Sequence, residues 1–141
     1  MEPTTTPRVA VGCDVVEIDR FRGACVRAPH LLVRLFTEAE REALSHKVDP
    51  VPSFAVRFAA KEAVLKLFGV GLGGVHFHDI EIVRTPSGKP IVRLGPTGQA
   101  RATIGRFGAI ELSLSHSHRT AIATAVALWQ GPIPDSKEPL A

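Results

Sequence analysis

Cysteine is scarce in this 141-residue chain: Cys13 and Cys25 are the only two, too few and too close together for a disulfide framework. Two semi-buried free thiols in a reducing cytoplasm explain them better than a redox role does. No apolar run approaches the ~18 residues of a membrane span, so no membrane partner is expected. The start, MEPTTTPR, lacks the basic-then-apolar order of a secretory signal. The expected location is therefore cytoplasmic. An excess of one charge is also missing, since 17 Lys and Arg against 14 Asp and Glu leave a net charge of only +3. That is too mild for a nucleic-acid-binding tail, and it favours acidic or phosphorylated partners only weakly. Base stacking would need aromatics among the arginines, and Phe21 is the one clear case. No nucleic-acid partner is expected.

The composition is that of an ordinary globular protein, with 45% apolar and 22% charged residues. A chain of this length forms one domain and buries roughly two thirds of its unfolded surface. Residues 8–129 read as a single unit without repeats. Residues 1–7 and 130–141 are polar and proline-rich and are expected to be poorly ordered tails.

RVAVGCDVV is a β-branched run that predicts a strand, EIDRFRGACVRAP a short helix stopped by Pro29, and LLVRLFT a brief extended piece. Thr37 and Glu40 have the spacing of a capping box, opening a helix expected to end near Asp49-Pro50. A third helix is expected from about Pro52 to Phe68, with Gly69 at its C-terminal stop. DIEIVRT and PIVRLG predict a hairpin turning at PSGK; PTGQARATIGRF predicts a modest helix; AIELSLSH and TAIATAVALW predict a last pair of strands. The fold class is α+β, an antiparallel sheet against a long buried central helix.

That helix raises a chemical question. Positions 54–68 are apolar in nearly every direction, yet they contain Arg57, Lys61, Glu62 and Lys66. Arg57 and Lys61 share one side, Glu62 and Lys66 another. The bland reading is two pairs on solvated stripes, of which an exposed Glu62–Lys66 pair would contribute only about 0.2–0.5 kcal/mol, but a helix this apolar has no broad wet face. A buried charge must be paired or bound to a ligand. The sharper reading is a cleft in which Glu62 meets a cation and the basic residues meet phosphate. Magnesium is held by one or two carboxylates with water and phosphate oxygens. Asp14, set in the apolar run AVGCDVV, is a partner for Glu62, although a capping aspartate would explain it equally well.

Several patterns are decoys. GVGLGG, residues 69–74, formally matches G-x-G-x-x-G, but it follows a helix and leads into a strand, the reverse of a dinucleotide site. Its backbone could still line a phosphate, with Gly69 nearest to Lys66. His76, His78 and His118 are expected to be exposed strand-end histidines rather than zinc ligands. Ser113, Ser115 and His116 are expected to end a buried strand in a polar cluster that contacts phosphate. Arg20, Arg22, Arg27 and Arg34 crowd the first helix and its sequel, as either a solvated basic face or a docking surface for an acidic helix.

VGCDVVEIDRF, RFAAKEAVLKLFGVG and LSLSHS, in this order and spacing, resemble the signatures of the holo-[acyl-carrier-protein] synthase group of 4'-phosphopantetheinyl transferases. LFTEAE and DIEIVRTPSGKP are similar to the family pattern too, and the resemblance covers about residues 8–128. It implies the family's fold and its reaction: transfer of the phosphopantetheine arm of coenzyme A to a serine of apo acyl carrier protein, as in fatty-acid biosynthesis, releasing adenosine 3',5'-bisphosphate. By the same resemblance Asp14 and Glu62 are the magnesium ligands, and Lys66 faces the diphosphate. Arg57 and His116 contact the nucleotide end with its 3'-phosphate, aided by Gly69 and Ser115. Arg20, Arg27 and Arg34 dock the carrier. The serine proton would pass to Glu62 or to a water on the metal, the latter favoured because a metal-bound carboxylate is a weakened base. Short members of the family form homotrimers with the site between neighbouring subunits, and this chain matches the short type. A non-catalytic coenzyme A-binding regulator on the same scaffold would lack one metal carboxylate, and both are present. Lys61 stays open between a structural pair and a phosphate contact.

Overall fold

The computed structural model describes residues 6–69 and 74–131. The outer parts of both expected tails, and residues 70–73 of the glycine-rich segment, lie outside the described residues. Strand β1, Arg8–Glu17, runs directly into helix α1, Ile18–Arg27. Two short helices follow, α2, Leu31–Leu35, and α3, Glu38–Ala43. The long helix α4 spans Val51–Phe68, and a single 3-10 turn at Phe77–Asp79 leads into β2, Ile80–Arg84. Strand β3, Pro90–Leu94, helix α5, Pro96–Gly105, and strands β4, Glu111–His116, and β5, Thr120–Trp129, complete the chain.

The strands form two antiparallel sheets, β1-β5-β4 and the hairpin β2-β3. Helix α4 packs on the inner face of the three-stranded sheet, as the expected α+β architecture requires. Close packing is possible because both surfaces are small. Strand β5 points Ala121, Ala123, Ala125 and Ala127 inward, and α4 answers with Ala59, Ala60 and Ala63, all buried. Gly12 takes this furthest: a Cβ there would collide with the Ala63 carbonyl oxygen and lie 2.6 Å from the Leu67 nitrogen. Larger side chains close the two ends of the core, Phe68, Ile80 and Ile82 at one and Phe21, Phe36 and Phe54 at the other.

The ends of α4 follow local chemistry. Pro52 sits in its first turn, where a missing N–H costs nothing. Gly69 adopts φ 70° and returns its N–H to the last turn, a left-handed cap that a Cβ would disfavour. The capping box of α3 forms as expected: Thr37 Oγ1 accepts from the Glu40 N–H at 3.1 Å, and Glu40 Oε1 accepts from the Thr37 N–H at 3.0 Å.

Four expectations are corrected. LLVRLFT is largely helical, as α2, because the short segment turns Leu35 into the core. Helix α3 stops at Ala43 rather than near Asp49-Pro50. Strand β4 is not a buried strand: it is a sheet edge whose Ser113 and Ser115 face outward and are exposed. His76 precedes the 3-10 turn and His78 lies within it, rather than at a strand end, and His78 Nε2 lies 2.7 Å from the Val33 carbonyl oxygen, fastening the turn to α2.

Candidate active site

Strand β1 alternates Ala10, Gly12 and Asp14 toward α4, so the extended backbone alone aims Asp14 at that helix. Facing it are Glu62 and, one turn on, Lys66. Lys66 Nζ donates to Asp14 Oδ1 at 2.9 Å and to the Cys13 carbonyl at 3.0 Å. Burial pushes the Glu62 carboxyl above its ordinary pKa, the neighbouring Asp14 charge adds to this, and Lys66 opposes it. The Lys66 ammonium is raised by its hydrogen bond to Asp14. Asp14 and Glu62 thus share one cleft with the exposed Lys66, which only partly offsets the cost of the Glu62 charge. Asp14 and Glu62 open into a cavity of about 500 Å³ whose wall includes Arg20, Phe21 and Phe58.

Arg57 and His116 come together elsewhere. They line a second cavity of about 420 Å³ with Lys47, Arg84, Arg93 and Glu40. Five residues along a helix is about 140° of rotation, so Arg57 and Glu62 emerge on different flanks of α4. Arg57 is 6% exposed, and its buried Nε has no hydrogen-bond partner among the described residues. Burial lowers its pKa, Arg84 lowers it further, and Glu40 counteracts both. A cationic cavity holding an unpaired guanidinium nitrogen is suited to an anion.

The remaining sequence candidates are more scattered. Ser115 alternates with His116 along β4 and faces the outer side of the sheet, away from the Arg57 cavity. Gly69 borders a third, mostly apolar cavity with Leu67, Arg101, Ile104 and Trp129. Arg20 stands beside the acidic pair, Arg27 folds back over Gly23, and Arg34 lines a separate hollow with His76, His78 and Asp79. Arg22, by contrast, is engaged in a two-pronged pair with Asp49 at 2.8 and 3.0 Å.

Lys61 is a structural pair. It is wholly buried, and its ammonium donates to Glu40 Oε1 at 2.7 Å and to the Phe77 and Ile80 carbonyls at 2.8 Å each. Sequence reasoning found Glu40 as a cap and missed it as this partner, because no spacing rule links residues 40 and 61. Arg84 and Lys47 were missed as walls of the Arg57 cavity. The nearest signal was the family-like segment DIEIVRTPSGKP, which contains Arg84.

Among the described residues no group of three or more His, Cys, Asp or Glu side chains could hold a metal, so an ion here would rest on the two carboxylates. No described helix is long and apolar enough to cross a membrane.

Residues 10–126 match the model of the 4'-phosphopantetheinyl transferase superfamily, and the chain belongs to that family. Within it, the similarity is to holo-[acyl-carrier-protein] synthases. The enzyme of that name from Caldanaerobacter subterraneus subsp. tengcongensis is 42% identical over 123 residues, 87% of this chain and 95% of the relative. The crystal structure of the synthase from Neisseria meningitidis superposes with a TM-score of 0.78 at 31% identity, covering 84% of this chain and 96% of that one. The Helicobacter pylori synthase, solved in complex with coenzyme A, superposes with a TM-score of 0.71 at 28% identity, covering 83% and 98%.

Proposed function

We infer that this protein transfers the 4'-phosphopantetheine arm of coenzyme A to a serine of apo acyl carrier protein, yielding the holo carrier and adenosine 3',5'-bisphosphate. The observation that supports a catalytic rather than a merely binding role is the Asp14–Glu62 pair across β1 and α4, with Lys66 bridging to it. Both donors are hard carboxylate oxygens, Glu62 is held at a cost that a cation would relieve, and the adjoining cavity has room for water and phosphate ligands. Magnesium fits that donor set, with Asp14 and Glu62 as its protein ligands. When bound, it would supply charge neutralisation for the diphosphate under attack. Lys66, exposed beside the pair, adds a second positive charge for the same group, and Arg57 and His116 take the nucleotide end. Arg20, at the mouth of the acidic cavity, with Arg27 and Arg34, forms the basic surface for the carrier.

The two cavities share no lining residue, and this bears on assembly. The outer face of the three-stranded sheet exposes Val9, Val11, Val15, Ile122, Val126 and Leu128. Strand β5 thus puts its alanines inward and its larger apolar residues outward, the reverse of a sheet whose outer face meets water. Exposed apolar residues concentrated in this way on β1 and β5, beside the polar outer residues of β4, mark an interface. We read it as the contact of a homotrimer, in which the acidic half-site of one subunit meets the Arg57 half-site of its neighbour.

The test is incubation with coenzyme A, magnesium and apo acyl carrier protein, followed by intact-mass measurement of the carrier. The mass is expected to rise by one phosphopantetheine arm. It is expected to stay unchanged with D14N or E62Q protein, and near-normal turnover by either variant would overturn the assignment of the acidic pair.

A further inference from the structure

Glu40 and Arg57 line the same cavity, yet no ion pair joins them among the described residues. Left to elementary electrostatics they should meet, because a buried carboxylate and a buried guanidinium in one low-dielectric hollow form a strong two-pronged pair. What prevents it is Lys61. Its ammonium, at 2.7 Å, occupies Glu40 Oε1, which also accepts the Thr37 N–H, while Glu40 Oε2 accepts the Ile82 N–H at 3.2 Å. The carboxylate is thus turned toward α3 and β2, with its charge already matched. Two backbone carbonyls, of Phe77 and Ile80, fix the ammonium itself, so the pair cannot swing. Among the described residues Arg57 is left with an unpaired Nε, and the like charge of Arg84 acts on it.

We propose that Lys61 is a positioning residue for the nucleotide half of the site: by holding Glu40 in a buried ion pair, it keeps that carboxylate from closing on Arg57 and leaves the guanidinium open for the 3'-phosphate of coenzyme A. This rests on the reading of Arg57 given above. A neutral side chain at position 61 would leave Glu40 as a buried, unmatched charge, and Arg57 is the cation within reach to satisfy it. The anion site would then be filled from within.

Calorimetric binding of adenosine 3',5'-bisphosphate and of adenosine 5'-monophosphate, which differ only in the 3'-phosphate, isolates the effect. Wild-type protein should prefer the bisphosphate, and R57A should lose about tenfold or more of that preference. K61M should lose it to a similar degree. The double variant E40Q/K61M, in which the stranded carboxylate is gone, should recover it to within about threefold. A merely structural role for Lys61 would weaken both nucleotides equally and would not be rescued by removing a second charge, and either result overturns the proposal. If R57A itself keeps the preference, it is the reading of Arg57 that fails. Should K61M not fold, E40Q alone decides: a change under about twofold agrees with a carboxylate already neutralised by Lys61, whereas a gain of about tenfold would mean that Glu40 offsets Arg57 in the native protein.

Discussion

Glu62 carries a cost that can be read out as stability. Its carboxyl is raised by burial and by Asp14, so the folded state holds the proton more tightly than the unfolded chain does. Below the unfolded value, near 4.5, both states are protonated and nothing is lost. As pH rises through the folded value, the native state loses stability relative to the unfolded one, in the sign required by linkage. The variant E62Q is therefore expected to melt at a higher temperature than wild type at pH 7 without divalent metal, with the gain disappearing as pH is lowered to about 4. Magnesium should raise the wild-type melting temperature and leave E62Q nearly unmoved, because an ion that binds only the native state stabilises it by mass action. Thermal melts with and without magnesium check both. At this scale the sequence was readable where charge conflicted with surroundings. Glu62 and Asp14 stood out as acids in apolar runs. Lys61 stood out equally, but its partner lies 21 residues upstream, and only the packing of α3 on β2 brings Glu40 to it.

Among the elements, α4 was the most legible because an 18-residue apolar helix with a glycine stop leaves few alternatives. The hairpin β2-β3 was readable from alternation and from Gly88, which takes φ 88° in the turn. Helix α2 was not, since five residues are too few to separate a 3.6-residue from a two-residue period. Strand β4 misled for a different reason. Its Leu112 and Leu114 face the core, but whether the opposite face is covered depends on sheet order, which alternation does not encode. Helix α1 carries its own prediction. Among the described residues Arg20 and Arg27 have no ion-pair partner, whereas Arg22 of the same helix is engaged by Asp49. R20A or R27A should raise KM for the carrier protein several-fold while leaving KM for coenzyme A within about twofold, and added salt should mimic the loss, since exposed charges are screened over about 10 Å at 0.1 M. Steady-state kinetics with each substrate varied in turn measures this, and equal effects on both KM values would argue against docking.

For the molecule as a whole, the outer sheet face sets the expectation. Placing a charge at its centre, as in V126D, should give a folded monomer by light scattering, with native-like circular dichroism and transfer activity reduced by at least about a hundredfold, because each site would lack its other half. A monomer that retains activity would show that one chain holds a complete site. The domain's helix-on-sheet plan was visible in the sequence. The separation of Arg57 from Glu62 was only implicit in their five-residue spacing on one helix.

That separation has a genetic consequence. A chain with D14N keeps an intact nucleotide half, and a chain with R57A keeps an intact acidic half. In the closed ring of three proposed above, any mixture of the two chains would contain one junction where the sound halves face each other. Two alleles that are each dead alone should therefore complement one another when co-expressed, restoring transfer at about one quarter of all junctions for equal, random mixing.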